Sequence, residues 1–375
     1  MAVYKIFPTK DATIYSRYPA KNTGLDSIIE AIADFSTGTA QVSRYLIQFS
    51  QEEIDSIIDD KISGSGFQVN LKNYIANITN LNTDTTLEIY PVSGSWNMGT
   101  GRFNDDPETD NGVSWKYKTY SGSGAWSTSG FANYVTASYS NTPGGGTWYT
   151  GSALGLNVVQ SKVYNYNSSK DLDVNVTNTI KTWYSASNNL GGFTNDGFII
   201  KQSSADEFVA SLYKQAHLQF YSIDTNTIYP PELQFKWNDF SYVTSSAIST
   251  INTTQMVVAL DNNPGVFRRE EIHKFRIDVR PEFPTRVFST SSLYTPSYYL
   301  PQTSYYAIKD LDTNEFIFNF DDTYTKISAD TVGSYFTIYM NGLEPERYYQ
   351  ILLKVVLNGE TIILGDNYYF KIING

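Results

Sequence analysis

The chain contains no cysteine, so neither a disulfide framework nor a thiolate zinc site can hold it together, and its stability has to come from packing. Histidine is almost as scarce: His217 and His273 are the two in 375 residues. That leaves little material for a Ser-His-Asp triad or an imidazole metal site, and no Gly-x-Ser-x-Gly elbow occurs. Basic charge is outweighed, with 27 Lys and Arg against 38 Asp and Glu and a formal net charge of −11. Phosphate binding needs clustered cations that are not outnumbered, so no nucleic-acid partner is expected. Eighteen apolar residues never run together, and "MAVYKIFPTKDATIY" lacks a basic segment followed by an apolar one, so neither a membrane span nor an export signal is read. "PGGGTWYTG" is not followed by Gly-Lys-Ser/Thr, so it is read as a flexible loop rather than a phosphate cradle.

What the chain has in excess is tyrosine and phenylalanine, 30 and 21 residues, while charged residues reach only 17%. Tyrosine suits a pleated, half-buried surface because its ring packs and its hydroxyl reaches water, and the same amphipathic character enriches it at interfaces. Short runs with period-two alternation recur: "YKIFPT", "ATIYSRY", "RYLIQFS", "TLEIYPV", "VSWKYKTY", "LDVNVT" and "GFIIKQ". The expected class is all-β. Two segments break the rhythm with helical spacing. "SQEEIDSIIDDKI" has Ser50 as a cap ahead of Ile54, Ile57, Ile58 and Ile62, and "DVNVTNTIKTWYSA" aligns Val176, Ile180 and Trp183 on one face. The length suits two or three domains. Pro230 and Pro231, the last tryptophan Trp237, and the polar connector "TSSAISTINTT" place a boundary near residue 245, giving domains 1–244 and 245–375.

Between Gly94 and Gly155 the composition turns to Gly, Ser, Thr, Asn and Trp, the character of long functional loops. Trp96, Trp115, Trp126 and Trp148 fall there. Planar rings on a rigid β scaffold can stack on sugar faces; the competing reading puts Trp96, Trp115 and Trp183 in the core and leaves Trp126 and Trp148 as interface anchors. "NDDPETDNG" places Asp105, Asp106, Glu108 and Asp110 in one loop, oxygens that suit a structural calcium, although the spacing is not that of an EF-hand and a solvated acidic loop is the ordinary reading. His217 reads as a strand residue and His273 as a solvent-facing partner of Glu270 or Glu271. No catalytic residue and no cofactor are expected. Near the end, "RYYQILLKVVLNGETIILGDNYYFKI" reads as a hairpin about a tight Asn358-Gly359 turn. Its Tyr348, Tyr349, Tyr368 and Tyr369 join Trp126 and Trp148 as interface or glycan candidates, and its unpaired edge would suit strand addition by a neighbour.

The ordered motifs of residues 4 to 240 carry a resemblance. A "D-A-x-I" strand with an Asn-x-Gly turn comes first (Asp11, Ala12, Asn22, Gly24), then Arg44 and Phe49, a Trp and Asn-Pro loop (Trp96, Asn104, Pro107, Trp115), a helix with Val176, Thr177 and Trp183, then Gly192, and a closing Pro231 and Leu233. This region resembles the DNRLRE type of jelly-roll domain, related to carbohydrate-binding modules. The later segments, above all "GLEPERYYQILLKV" with Leu343, Pro345 and Tyr349, look like the ends of virion structural proteins of tailed bacteriophages and like the strand entry of fibronectin-type domains. The resemblances imply an N-terminal jelly-roll β-sandwich with short helices and a C-terminal immunoglobulin/fibronectin-like β-sandwich. They imply a non-enzymatic virion structural protein at the particle exterior (neck or collar, tail, or capsid accessory position). Its partners would be other virion proteins and further copies of itself. The alternative they leave is a carbohydrate-binding adhesin meeting the host envelope, with a glycan as partner; a hydrolase ranks third, because no carboxylate pair stands out.

Overall fold

The alternation seen in the sequence becomes strand wherever one face can be buried. Ile28–Asp34 is a clear case: Ile29, Ala31 and Ala33 point inward, while Ile28, Glu30, Ile32 and Asp34 alternate with them on the partly open face. The computed structural model describes all residues except 1, 36–40, 63–65, 121–122, 127–143, 151–156, 208–215, 285–296, 366 and 375. Strand is the dominant element and the fold is all-β. The chain divides into two compact units, one made of Ile6–Ile62 and Gln68–Gln234, the other of Phe235–Gly375 together with Met1–Lys5 and Ser63–Phe67.

In order, the elements begin with β1 (Ala2–Ile6), β2 (Pro8–Tyr15), β3 (Ile28–Asp34), β4 (Gln41–Phe49), α1 (Gln51–Asp60), β5 (Phe67–Asn73), β6 (Ile75–Thr79) and β7 (Thr85–Pro91). Then come the small ribbon of β8 (Tyr117–Tyr120) and β9 (Ser123–Ala125), and β10 (Gln160–Tyr164), β11 (Leu172–Asn175), α2 (Thr177–Ser187), β12 (Phe198–Gln202), the short turn α3 (Ser204–Glu207), β13 (His217–Tyr221) and β14 (Glu232–Trp237). The main sheet of the first unit runs β10-β7-β12-β4-β3-β13-β6, with β2 also paired to β4; a second sheet runs β1-β14-β5-β11. Ser50 caps α1 by accepting from the Glu53 N–H, as its position ahead of the acidic first turn predicts, and Ile54 and Ile57 are buried. The second expected helix is shorter than its pattern. Leu172–Asn175 pairs with β5 as strand, and the helix begins only at Thr177, with Ile180 and Trp183 buried.

The other unit holds β15 (Met256–Leu260), β16 (Val266–Arg268), β17 (Ile272–Pro281), β18 (Ser304–Asp310), β19 (Phe316–Phe318), β20 (Ser328–Ala329), β21 (Ser334–Tyr339), β22 (Tyr348–Leu357), β23 (Glu360–Leu364) and β24 (Tyr369–Ile373). One sheet runs β15-β17-β21-β20; the other runs β16-β24-β22-β18-β19, with β23 paired to β22. Both contribute to a single apolar core: Phe275, Ile277 and Val279 from β17 and Phe336 and Ile338 from β21 face Tyr306, Ile308, Ile351, Leu353, Val355 and Phe370. Phe336 joins the two sheets, stacking on Phe275 at 5.2 Å and on Tyr306 at 4.6 Å between ring centroids. His273 departs from expectation. It lies half-buried between Phe267 and Phe275, with Nε2 2.8 Å from the Asn262 carbonyl, because its place on β17 turns it toward those rings rather than toward Glu270 or Glu271.

The late hairpin forms about Asn358 and Gly359, with φ of 53° and 83°, the left-handed pair that a two-residue turn demands. Its second arm is split. Glu360–Leu364 pairs with the far end of β22, while Tyr369–Ile373 pairs with the near end and is covered on its other side by β16 in parallel. The expected open edge is therefore confined to β23, along which no other described strand pairs.

Candidate functional site

Four tryptophans of the long loop region converge on the core of the first unit. Trp96, Trp115, Trp126 and Trp148 are all buried among Ala12, Ile14, Val42, Leu46 and Ile199. Trp126 donates its ring N–H to the Ser114 carbonyl at 3.0 Å, and Trp148 is fixed by a bridge to Val92. Neither Trp126 nor Trp148 offers a ring face to solvent, so they serve neither as the interface anchors nor as the sugar platform weighed for them, and both belong to the core. The cause is Arg44. Its guanidinium is wholly buried, 4.9 Å from the Trp115 ring and 5.3 Å from the Trp148 ring, and it pairs bidentately with Glu207 at 2.9 and 2.7 Å. Its remaining arm donates to the Gly145 carbonyl at 2.6 Å.

The glycine run beside it is fitted rather than flexible. Gly144 has φ 137°, and a Cβ there would lie 2.0 Å from the Trp115 carbonyl oxygen; a Cβ on Gly145 would lie 2.7 Å from the Arg44 guanidinium. Lys201 completes the cluster, 2.9 Å from Glu88 and 3.9 Å from Glu207. Each nitrogen of Arg44 donates to a protein acceptor and the Glu207 side chain is buried, so the cluster serves to order the core.

The acidic loop does not gather its oxygens. Asp105 accepts from the Arg102 N–H and the Thr109 hydroxyl, which with Thr109 first hold its carboxyl below the usual range. Glu108 reaches Lys21 at 3.4 Å, and Asp106 precedes a cis Pro107. Among the described residues no group of three acidic, His or Cys side chains is placed to hold a metal, Asp110 included.

The same loop borders an open groove. Asn22 anchors it, donating to the Met98 and Val113 carbonyls at 2.7 and 2.8 Å and accepting from Gly101 N–H at 2.8 Å. Phe103 is thereby presented at its tip, 36% exposed, with its N–H on Asp26 and its carbonyl on Lys21. Its ring meets Tyr15 at 5.0 Å and Tyr18 at 5.6 Å, forming a wedge of three rings. The wedge borders a groove with two lobes of about 200 and 360 Å³, both lined by Tyr15, Glu30 and Phe103. Glu30 on β3 sits opposite Gln219 on β13 and accepts from its amide at 2.8 Å. Burial, then the charge and bond of Glu30, push the Tyr15 hydroxyl well above its ordinary pKa, so it stays a donor. His217, read as a strand residue, opens β13 and lines one lobe with Arg17 and Asp34.

Asp11 is a second unusual group in this unit. Its carboxyl is buried, one oxygen accepts from the Ile223 N–H at 2.7 Å, and burial pushes its pKa up to about 8, helped by the charges of Asp224 and Asp26. In the other unit the four tyrosine candidates separate. Tyr349 is buried with its hydroxyl on the Glu344 carbonyl at 2.9 Å, and Tyr368 reaches the Val258 carbonyl. Tyr348 and Tyr369 stay exposed, 53% and 41%.

Sequence reasoning weighted tryptophan and passed over Tyr15, Tyr18 and Phe103. The available signal was the Asn22-x-Gly24 turn, which pins the loop bearing Phe103: a Cβ on Gly24 would lie 2.2 Å from the Met98 carbonyl oxygen.

Comparison with known proteins adds little. No family model matches the chain, and no curated protein matches it. Among solved structures, a DUF4785 family protein from Legionella pneumophila aligns at 9% identity over 100% of this chain and 62% of its own length, with a TM-score of 0.18. The chain thus spans less than two thirds of that protein, and so low a score carries no argument about fold or function.

Proposed function

We propose that the chain is a non-enzymatic structural protein of a tailed-bacteriophage virion, mounted at the particle exterior and joined to neighbouring virion proteins and to further copies of itself. In this reading the first unit is a jelly-roll sandwich and the second an immunoglobulin/fibronectin-like one. Support for the second comes from strand order. Labelling β15, β17, β21 and β20 as A, B, E and D, and β24, β22 and β18 as G, F and C, gives an ABED sheet facing a GFC sheet. The Tyr349 hydroxyl bonded back to Glu344 at the start of β22 is the corner such domains use.

The observation that carries the assembly role is the outer edge of β23. It has no described strand partner, and on it Ile363 is 58% exposed. An edge of this kind is an aggregation hazard for an isolated protein and a ready docking line for a neighbouring strand. Mass spectrometry with copy counting on purified particles of the source virus tests the reading. A stoichiometry matching a virion symmetry supports it; absence of the chain from particles sinks it. Ile363→Lys, which places a charge on the edge, is expected to lower incorporation without unfolding the unit.

A further inference from the structure

From the outer edge of β23 we infer that the chain forms a two-fold dimer by antiparallel pairing of β23 with β23 of a second copy, the axis passing beside Ile362. The inference rests on the reading of this edge as a docking line and names what docks there. In an antiparallel ladder only every second residue of an edge strand directs its backbone groups outward. Which residues do so is fixed on β22. The Val356 N–H bonds away from β23, to the Thr303 carbonyl at 3.0 Å, so the Val356 and Thr361 pair is not a hydrogen-bonded one. Glu360, Ile362 and Leu364 therefore direct their N–H and C=O groups at β22. Thr361 and Ile363 point theirs away from the sheet, where no described strand receives them.

The edge lacks the usual guards against pairing. Glu360–Leu364 contains no lysine, no proline and no bulge, and Glu360 is its single ionisable residue. The other edges of the unit differ: β16 and β19 have three residues each and β20 two, and on β15 the Val258 carbonyl already accepts from the Tyr368 hydroxyl. A second β23 complements the first. With the axis at Ile362, Thr361 faces Ile363 of the second copy and Ile363 faces its Thr361, two hydrogen-bonded pairs around a central Ile362 pair. Glu360 then lies opposite Leu364, so no like charges meet. Moving the axis to Thr361 or Ile363 would leave two residues of each strand unpaired, and a slip of one residue would reverse the faces. Ile363, 58% exposed, gains cover from the opposing Thr361, while Ile362 stays on the core side. The contact is isologous and closes on itself, giving a dimer rather than a filament. So short an edge buries less than the roughly 1,200 Å² of a standard interface, so the dimer is weak and concentration-dependent.

Because the chain has no cysteine of its own, single cysteines in the full protein report the register. Ile362→Cys is expected to give a disulfide-linked dimer on mild oxidation, since opposed residues of a non-hydrogen-bonded pair lie about 4.5 Å apart at Cα. Thr361→Cys and Ile363→Cys are expected to give little, because each sits two residues from its own counterpart across the axis, beyond the roughly 7 Å that a disulfide spans. In wild type, sedimentation velocity should show the mass rising toward a dimer with concentration. Over the same series, hydrogen exchange should slow at the Thr361 and Ile363 N–H groups, while those of Ile362 and Leu364 stay protected throughout. Thr361→Pro removes an outward donor but no bond to β22, and is expected to weaken association about tenfold or more, because symmetry makes the loss act twice. Should that variant fail to fold, wild-type exchange and the cysteine series decide in its place. The inference is overturned if wild type stays monomeric at every concentration, if cysteines at 361 or 363 link as readily as the one at 362, or if dimerisation protects amides outside β23 alone. None of these outcomes alters the copy number on particles, so failure of the dimer and failure of the virion reading are told apart.

Discussion

The two units solve burial in opposite ways. The first encloses charge: Arg44, Glu207, Lys201 and Asp11 are all buried, and five of the six tryptophans pack within it. The second builds one apolar core around stacked rings and sets most of its ion pairs near the surface, as with Lys274 and Arg276 on Asp330. A buried charge network specifies one arrangement at a cost in stability, whereas an apolar core is tolerant in detail and insensitive to protons. The contrast extends to pH. Asp11 has its folded pKa raised, so its contribution is full below about 3.8 and fades as pH rises toward about 8. Asp330, paired first with Arg276, and Asp310, where burial is outweighed by Arg347 and two backbone N–H groups, are both lowered. Their contributions hold above the ordinary carboxylate range and are lost as pH falls through it.

The sharpest way to break this comparison is Glu207→Ala, which strands a buried Arg44 and is expected to cost the first unit about 3–5 kcal/mol. Urea unfolding followed by peptide-resolved hydrogen exchange should show that loss in residues 6–234 and leave the β17 and β22 peptides protected. Next comes Asp11→Asn. Wild type is expected to lose protection in the first unit between about pH 4 and about pH 8, by an amount on the order of 1.4 kcal/mol for each unit of pKa displacement relieved. The variant should flatten that slope, and an unchanged slope would mean that Asp11 titrates normally. In the second unit, Tyr349→Phe removes the bond to Glu344 and is expected to cost about 1 kcal/mol, read from the denaturation midpoint. Smallest is Lys274→Ala, below about 1 kcal/mol because the pair is solvent-exposed, and diminishing further in high salt.

Much of the scaffold was legible in the sequence because period-two alternation and turn chemistry are local. The Asn358-Gly359 hairpin, the Ser50 cap, and the strands around Arg44 and Phe198 follow directly from neighbouring residues. Partners distant in the chain were not legible. Nothing near Trp148 announces that Arg44, more than a hundred positions earlier, will draw it inward, nor that Gly145 must stay bare to admit the guanidinium. The groove was missed for the same reason: Tyr15, Glu30, Phe103 and Gln219 come from four separate segments. His273 was misjudged because its charged neighbours in sequence point elsewhere in space, while Phe267 and Phe275 flank it.

Val3 belongs to the same apolar cluster as Phe370 and Ile372, and the Asn341 amide bonds to the Lys5 carbonyl across 336 positions. The second unit therefore needs residues from near both extremes of the chain before its core can close. On a ribosome, most of the first unit can be made and folded while its companion still waits for its final strand. Long-range closure of this kind is slow, and through that interval the aromatic strands of the later unit are exposed to neighbours on the same messenger. The order of synthesis itself thus sets when the chain is most vulnerable to premature association, and a holding chaperone would have its greatest effect then.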